Sequence, residues 1–228
     1  GHGRSQHRSL DASYLATDLP WYAAEAARQL KWSRFGVLGH SMGAAAASLM
    51  AGSHYPSRDA LVALCCIEML GPLSKASGKS GQHLLEGLQR RAKYLQRRLR
   101  GSQKVYESLE DCVEARLQSV KAWPGQQRLT TLSAQRLVAR GTTLGDDGWH
   151  FSHDMRLNSP SLSYYTEEQV LALLRHIDRP CLLIEAEGPH AWPRDAKWWE
   201  ARKLAIRGLQ SRPLPGGHHL HLDEDTSQ

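Results

Sequence analysis

The sequence predicts an α/β fold, a mostly parallel sheet with helices packed on it, interrupted midway by an inserted helical lid. Three observations carry this expectation. Short apolar runs at 34–39 (RFGVLG), 61–67 (LVALCCI) and 181–186 (CLLIEA) alternate with helix-patterned stretches, as parallel strands joined by helical crossovers do. Residues 73–140 break that alternation with a charged, helix-patterned stretch. A glycine-flanked turn at 39–43 lies between the first of those strands and an alanine-rich helix.

Taken in order, residues 1–10 (GHGRSQHRSL) carry Gly and Ser without periodicity and read as a loop. A helix starts near Asp18-Leu19-Pro20 and runs to about Lys31. Asp18 can cap it, and Pro20 suits a first turn whose N–H groups lack helical partners. The strand at 34–39 follows, then the small-residue helix GAAAASLMAG. LVALCCI is uninterrupted, as a strand buried on both faces would be. From 73 onward, Leu84, Leu85, Leu88, Leu95 and Leu99 fall at helical spacing, with Arg90, Arg91, Lys93, Arg97 and Arg98 between them. Residues 141–165, with Gly141, Gly145, Gly148 and Pro160, read as a long structured loop. Thr166 opens a capping-box helix, TEEQ, that runs through His176. After CLLIEA comes the helix RDAKWWEARKLAIRGL, and RPLPGG leads off a last short strand. The domain reading is therefore core at 1–72, lid at 73–176 and core again at 177–228.

Composition narrows the function classes. The chain has 228 residues, and its 41% hydrophobic content is enough for an ordinary core. The net charge of +6 arises from 29 basic against 23 acidic residues, a modest excess that predicts no nucleic-acid partner unless it gathers on one face. RRAKYLQRRLR could meet an acidic membrane or nucleic acid, but a solvated basic helix face explains it equally well. No run of about 18 apolar residues occurs, so no integral membrane segment is expected. Cys65, Cys66, Cys112 and Cys181 form no CxxC pair, and two of them lie inside an apolar run, which favours an intracellular, cytoplasmic setting. No cofactor and no metal is expected, and the oligomeric state is left open.

Gly39-His40-Ser41-Met42-Gly43 is the motif that carries chemistry. G-x-S-x-G between a strand and a helix makes a sharp turn that projects the serine oxygen at the top of a sheet. The Met42 N–H at the helix start can then face a developing oxyanion. A serine needs a base. His218, His219 and His221 in PGGHHLHLD are the candidates, and the first after the Gly-Gly turn, His218, is best placed. A metal held by H-H-x-H is the alternative use of this cluster. An acid must orient the histidine. Glu68 ends LVALCCI, where a buried carboxylate would need a partner, and it is favoured. Glu187 and Asp195, after CLLIEA, stay open as alternatives. His40 and Trp149 are expected to contact substrate, with Phe151 and Tyr164 as further pocket walls.

LKWSRFGVLGHSMGA, the opening GHGRS, RGTT, DMRL, VYESLEDCVEARL and PGGHHLHLD together resemble the serine hydrolase-like proteins of the α/β-hydrolase superfamily. The resemblance spans nearly the whole chain. It implies the α/β-hydrolase fold and a serine-dependent hydrolase acting on a small-molecule ester or similar acyl compound, with Ser41 as nucleophile and His218 as base. Many relatives place the acid in a Gly-x-x-Asp turn after the penultimate strand. The matching stretch here, EAEGPHAW, has no aspartate in that turn, which raises Glu68. In full members GHGRS follows the fourth strand, and an earlier His-Gly loop gives a second oxyanion N–H. The expectation is thus a fragment without the N-terminal strands or a C-terminal closing helix. A catalytically impaired interaction module is the alternative function.

Overall fold

In the computed structural model, which describes residues 1–99, 104–125, 127–159 and 161–222, four parallel strands form the central sheet. They are β1 (Phe35–His40), β2 (Leu61–Ile67), β5 (Cys181–Glu187) and β6 (Gln210–Pro215), in the order β1-β2-β5-β6. Five helices precede or follow them closely or fill the long connection: α1 (Asp18–Gln29), α2 (Met42–Gly52), α3 (Ser80–Leu99), α4 (Leu109–Lys121) and α5 (Thr131–Gly141). Two more, α6 (Glu167–Arg175) and α7 (Ala196–Ala205), flank β5.

The register places the strand ends together. His40 pairs with Ile67, Ile67 with Ile184, and Glu187 with Pro215. Because all four strands run the same way, the residues just past their carboxyl ends gather along one edge, where ligands of open α/β sheets bind. β6 is an edge strand, which tolerates Pro213 and Pro215 because one of its sides needs no ladder donor. It ends before the Gly-Gly pair, so PGG closes this strand where the sequence suggested that RPLPGG would open one.

The main core joins Ala44, Ala47 and Ala51 of α2 to Leu61, Leu64 and Cys66 of β2, with Leu183, Trp199 and Ile206 from the second half of the chain. Small side chains let α2 lie close on the sheet. β2 was expected to be buried on both faces, but Val62, Ala63 and Cys65 are only half-buried while Leu61, Leu64 and Cys66 are buried. An apolar run does not by itself report how many faces are covered. Val170 and Leu174 of α6 belong to the same core, so this helix, read from sequence as part of the insertion, packs as a layer on the sheet. Its predicted capping box is present between Thr166 and Gln169. Asp18 does not cap α1: Thr17 occupies the N-cap position and Asp18 pairs with Arg8 instead.

The remainder of the insertion has its own small core. Cys112 and Val113 of α4 pack on Ala134 and Val138 of α5. Here the sequence reading of 141–165 as loop misses an antiparallel hairpin, β3 (Thr142–Gly145) and β4 (Gly148–Phe151). Two threonines face aromatic residues across an Asp-Asp turn, a strand signal that the nearby glycines mask. Trp149 and Phe151 pack against this second core.

Two buried arginines tie distant segments together. Arg202 is fully buried and binds both oxygens of Glu167, at 2.9 and 2.7 Å, and the carbonyls of Leu70 and Pro72, at 2.6 and 2.9 Å. It thereby fixes the start of the insertion to α6 and α7. Arg156 does the same for the N-terminal loop, donating to the carbonyls of Arg8, Ser9 and Ala12 while paired with Asp154. Burial would push the Asp154 carboxyl up, but hydrogen bonds from Arg156 and Tyr14 overcome this and hold it at about 2.

Two outcomes follow. Arg202→Met should cost about 3–5 kcal/mol in chemical denaturation, because it removes the cation paired with Glu167 and takes a buried donor from the Leu70 and Pro72 carbonyls. For Asp154, the folded value lies below the unfolded one, near 3.8, so its contribution is present above that value and is lost as pH falls towards 2. In Asp154→Asn, the stability difference between pH 5 and pH 2 should shrink; an unchanged slope would rule Asp154 out as its source.

Candidate active site

Ser41 stands between β1 and α2 with φ 52° and ψ −113°, a conformation that non-glycine residues seldom adopt. Its N–H donates to the Ile67 carbonyl at 2.9 Å, which carries the β1–β2 ladder one residue past the strand. The flanking glycines differ in their reasons. A Cβ on Gly39 would sit 2.3 Å from the carbonyl carbon and oxygen of Gly43, so this position has no room for a side chain. A Cβ on Gly43 would meet nothing within 4 Å. Of the two flanking glycines, the geometry excludes a side chain at Gly39 alone.

Glu68 occupies the matching place one strand over. Its N–H donates to the Ile184 carbonyl at 2.9 Å, and its φ is 65°. The side chain is fully buried. His218 comes from the loop after β6, where a Cβ on Gly217 would lie 2.9 Å from Gln127 Oε1. That same oxygen accepts the His218 N–H at 2.6 Å, and the Gln127 amide is held by the Pro124 carbonyl at 2.9 Å.

The three side chains meet. His218 Nε2 is 2.9 Å from Ser41 Oγ, and His218 Nδ1 is 3.3 Å from Glu68 Oε2. With the Nδ1 proton directed to the carboxylate, Nε2 is left as an acceptor for the Ser41 hydroxyl. Glu68 Oε1 accepts the Ala186 N–H at 2.5 Å. Burial pushes the Glu68 carboxyl up, but His218, the Ala186 N–H and Arg194 more than offset this and hold it below its usual value. Of the alternatives for this position, Glu187 is exposed, and Asp195 caps α7 by accepting the Trp198 N–H at 2.8 Å.

Ser41, Glu68 and His218 line a cavity of about 420 Å³ with Met69, Leu73, Trp192, Pro193 and Trp198. Met42, as the first residue of α2, presents its N–H among those that a helix start leaves without intrahelical acceptors. His40 does not line the cavity: its Nε2 donates to the His218 carbonyl at 2.6 Å, beneath the base. Burial lowers His40 to about 4 and His219 to about 3, so both are neutral near pH 7. The His221 ring lies tilted against the His40 ring, centroids 4.2 Å apart. Among the described residues, no group of three or more His, Cys, Asp or Glu side chains is arranged to hold a metal ion. Trp149 is not at the cavity either. It belongs to the hairpin on the second core, because its ring satisfies that core's need for apolar cover; Phe151 packs there too, and Tyr164 meets His83.

The mostly parallel sheet with helices packed on it agrees with the comparisons. A sequence profile of the alpha/beta hydrolase family matches residues 1–228. The chain belongs to the alpha/beta hydrolase family. It is 30% identical over 236 residues to a serine hydrolase-like protein of Dictyostelium discoideum, with all of this chain and 62% of that protein covered. A serine hydrolase-like protein of Danio rerio is 27% identical, over 98% of this chain and 67% of its own length. Among solved structures, a hypothetical protein of Pseudomonas aeruginosa PAO1 superposes with a TM-score of 0.84 at 32% identity, covering 99% of this chain and 74% of that one. This alpha/beta hydrolase chain thus spans 62% of the length of its Dictyostelium relative. No helix among the described residues is long and apolar enough to cross a membrane.

Sequence reasoning missed Gln127, Trp192 and Arg194. Trp192 lies 4.9 Å from the His218 ring, and Arg194 is paired with Glu68. None sits in a spacing pattern that would have marked it, since each reaches the site across more than 25 residues of chain from the side chain it contacts. The elbow gives a direct check. Gly39→Ala should lower stability by about 1–3 kcal/mol or prevent folding, since backbone must move to admit the methyl group. Gly43→Ala should be neutral, or stabilising by up to about 1 kcal/mol as a helix substitution. Equal losses in both, by thermal or urea denaturation, would contradict the asymmetry.

Proposed function

We propose that this chain is a serine hydrolase of ester or related acyl bonds, with Ser41 as nucleophile, His218 as general base and Glu68 as the orienting acid. The observation that supports this most is the continuous chain of contacts Ser41 Oγ–His218 Nε2 at 2.9 Å and His218 Nδ1–Glu68 Oε2 at 3.3 Å, assembled on a strained elbow. His218 takes the hydroxyl proton as Ser41 Oγ attacks the carbonyl carbon. The tetrahedral oxyanion faces the Met42 N–H and the start of α2, where the helix dipole favours negative charge. His218 then returns the proton to the leaving oxygen, and a water repeats the sequence on the acyl-serine. Glu68 keeps the imidazole in the tautomer that leaves Nε2 free and stabilises the imidazolium while it exists.

The cavity points to the substrate's character. Met69, Leu73, Trp192, Pro193 and Trp198 offer apolar and aromatic walls beside the charged Arg194 and Asp195, and about 420 Å³ suits a small acyl group. The likeness to two serine hydrolase-like proteins is in keeping with this reading. A second reading is a hydrolase-fold interaction module without turnover.

A fluorophosphonate probe decides between them. The chain should form a covalent adduct that mass spectrometry maps to Ser41 and that Ser41→Ala abolishes. Adduct formation that persists in Ser41→Ala, or none at all in the unsubstituted chain, would overturn the hydrolase reading. Among the supporting residues, His218→Ala should abolish turnover of an activated ester and His219→Ala should cost much less. Glu68→Gln should lower turnover by about four orders of magnitude, by analogy with neutralising the aspartate of a Ser-His-Asp triad. Near-normal turnover in that variant would remove Glu68 from the role.

A further inference from the structure

The Glu68 carboxylate has a partner that a Ser-His-acid arrangement does not require. Arg194, in the connection between β5 and α7, places Nη2 2.9 Å from Glu68 Oε2, the oxygen that faces His218. The same nitrogen donates to the main-chain carbonyl of Glu68, also at 2.9 Å. The guanidinium lies over the Trp199 ring, 4.4 Å from its centroid, and that ring is fixed in turn by its Nε1 donating to Glu185 Oε2 at 2.6 Å. Arg194 therefore approaches Glu68 from a platform on α7, and its side chain is only 12% exposed.

We propose that Arg194 is a positioning residue that clasps Glu68 by its carboxylate and its backbone carbonyl, holding the acid ionised and aimed at His218. This rests on the acyl-hydrolase reading of the site. Two needs are met by one side chain. Glu68 has a left-handed backbone, φ 65°, at a strand end where the β5 ladder holds only its Oε1, through the Ala186 N–H, and Arg194 holds the other oxygen and the main-chain carbonyl. The carboxylate is also buried, so it needs positive charge nearby to stay ionised while His218 is neutral. Two of the other titratable groups around the pair, His40 and His219, do not supply that charge. His40 and His219 are kept neutral near pH 7 by burial, the His221 ring lies tilted against His40 with centroids 4.2 Å apart, and Asp195 on the cavity wall is acidic. Arg116 is near His219, and no contact links it to Glu68. Arg194 is the permanent cation in contact with the acid.

The test reads the acid directly. The chain is made with ¹³C-labelled glutamate, and the Glu68 carboxyl signal is assigned by its loss in Glu68→Gln. Its titration midpoint should rise by at least about half a pH unit in Arg194→Met, and similarly in Arg194→Gln, which keeps a donor without the charge. Arg194→Lys should recover most of the shift. The acid limb of fluorophosphonate labelling at Ser41 should move the same way, so that on that limb the methionine variant labels about threefold more slowly, with less change on the high-pH plateau. A merely structural role would scale the labelling at all pH values without moving either midpoint. An unmoved Glu68 midpoint in both the methionine and glutamine variants, with labelling at Ser41 intact, overturns the proposal for Arg194 alone. A raised midpoint with no labelling of the unsubstituted chain at any pH overturns the hydrolase reading alone.

Discussion

A carboxylate removed from water must be surrounded by donors, and the site is organised around that demand at Glu68. Its two oxygens take the Ala186 N–H, the Arg194 guanidinium and the His218 ring, which come from β5, the segment before α7 and the loop after β6. Each donor belongs to a different part of the second core segment, so satisfying one residue of the first segment draws the two halves of the sheet into a single arrangement. Leaving such a group unpaired would cost several kcal/mol. The position of His218, and through it the contact with Ser41, follows from where that carboxylate can be accommodated.

The parallel register makes this possible. Ser41 and Glu68 each continue a ladder one residue past a strand end, through the Ile67 and Ile184 carbonyls, and each then turns with positive φ. Conformations of this kind cost about 1–3 kcal/mol each, and they persist only where the surroundings fix them. The surroundings here are the alanine-rich face of α2, the buried β2 and the Arg202–Glu167 pair that anchors the chain just beyond Glu68. Strain at the site and close packing behind it are two sides of the same structure.

Much of this was legible from the residues. The G-x-S-x-G motif with a strand before it and small residues after it located Ser41, since few local structures combine those features. The Gly-Gly pair located the turn that carries His218. Glu68 was favoured because a carboxylate closing an apolar strand needs a partner, whereas Glu187 and Asp195 are polar residues in polar neighbourhoods. Other readings depended on what the sequence does not encode locally. The faces covered on β2, the layer to which α6 belongs and the hairpin at 142–151 follow from packing partners far along the chain. Trp149 looked like a pocket wall because aromatic residues line pockets, but the second core claims it.

By itself the sequence determined most of the helices and sheet strands and the place proposed for the nucleophile. Apolar runs of strand length, capping boxes and the glycine that admits the elbow act within a few residues, and local sterics and periodicity express them directly. Tertiary structure alone decided which groups support that chemistry. Gln127 holds the His218 backbone, His40 braces its carbonyl and Arg194 clasps Glu68, across separations of 91, 178 and 126 residues. Contacts at such distances leave no spacing to read, because they exist only once parallel strands have brought four chain segments to one edge of the sheet.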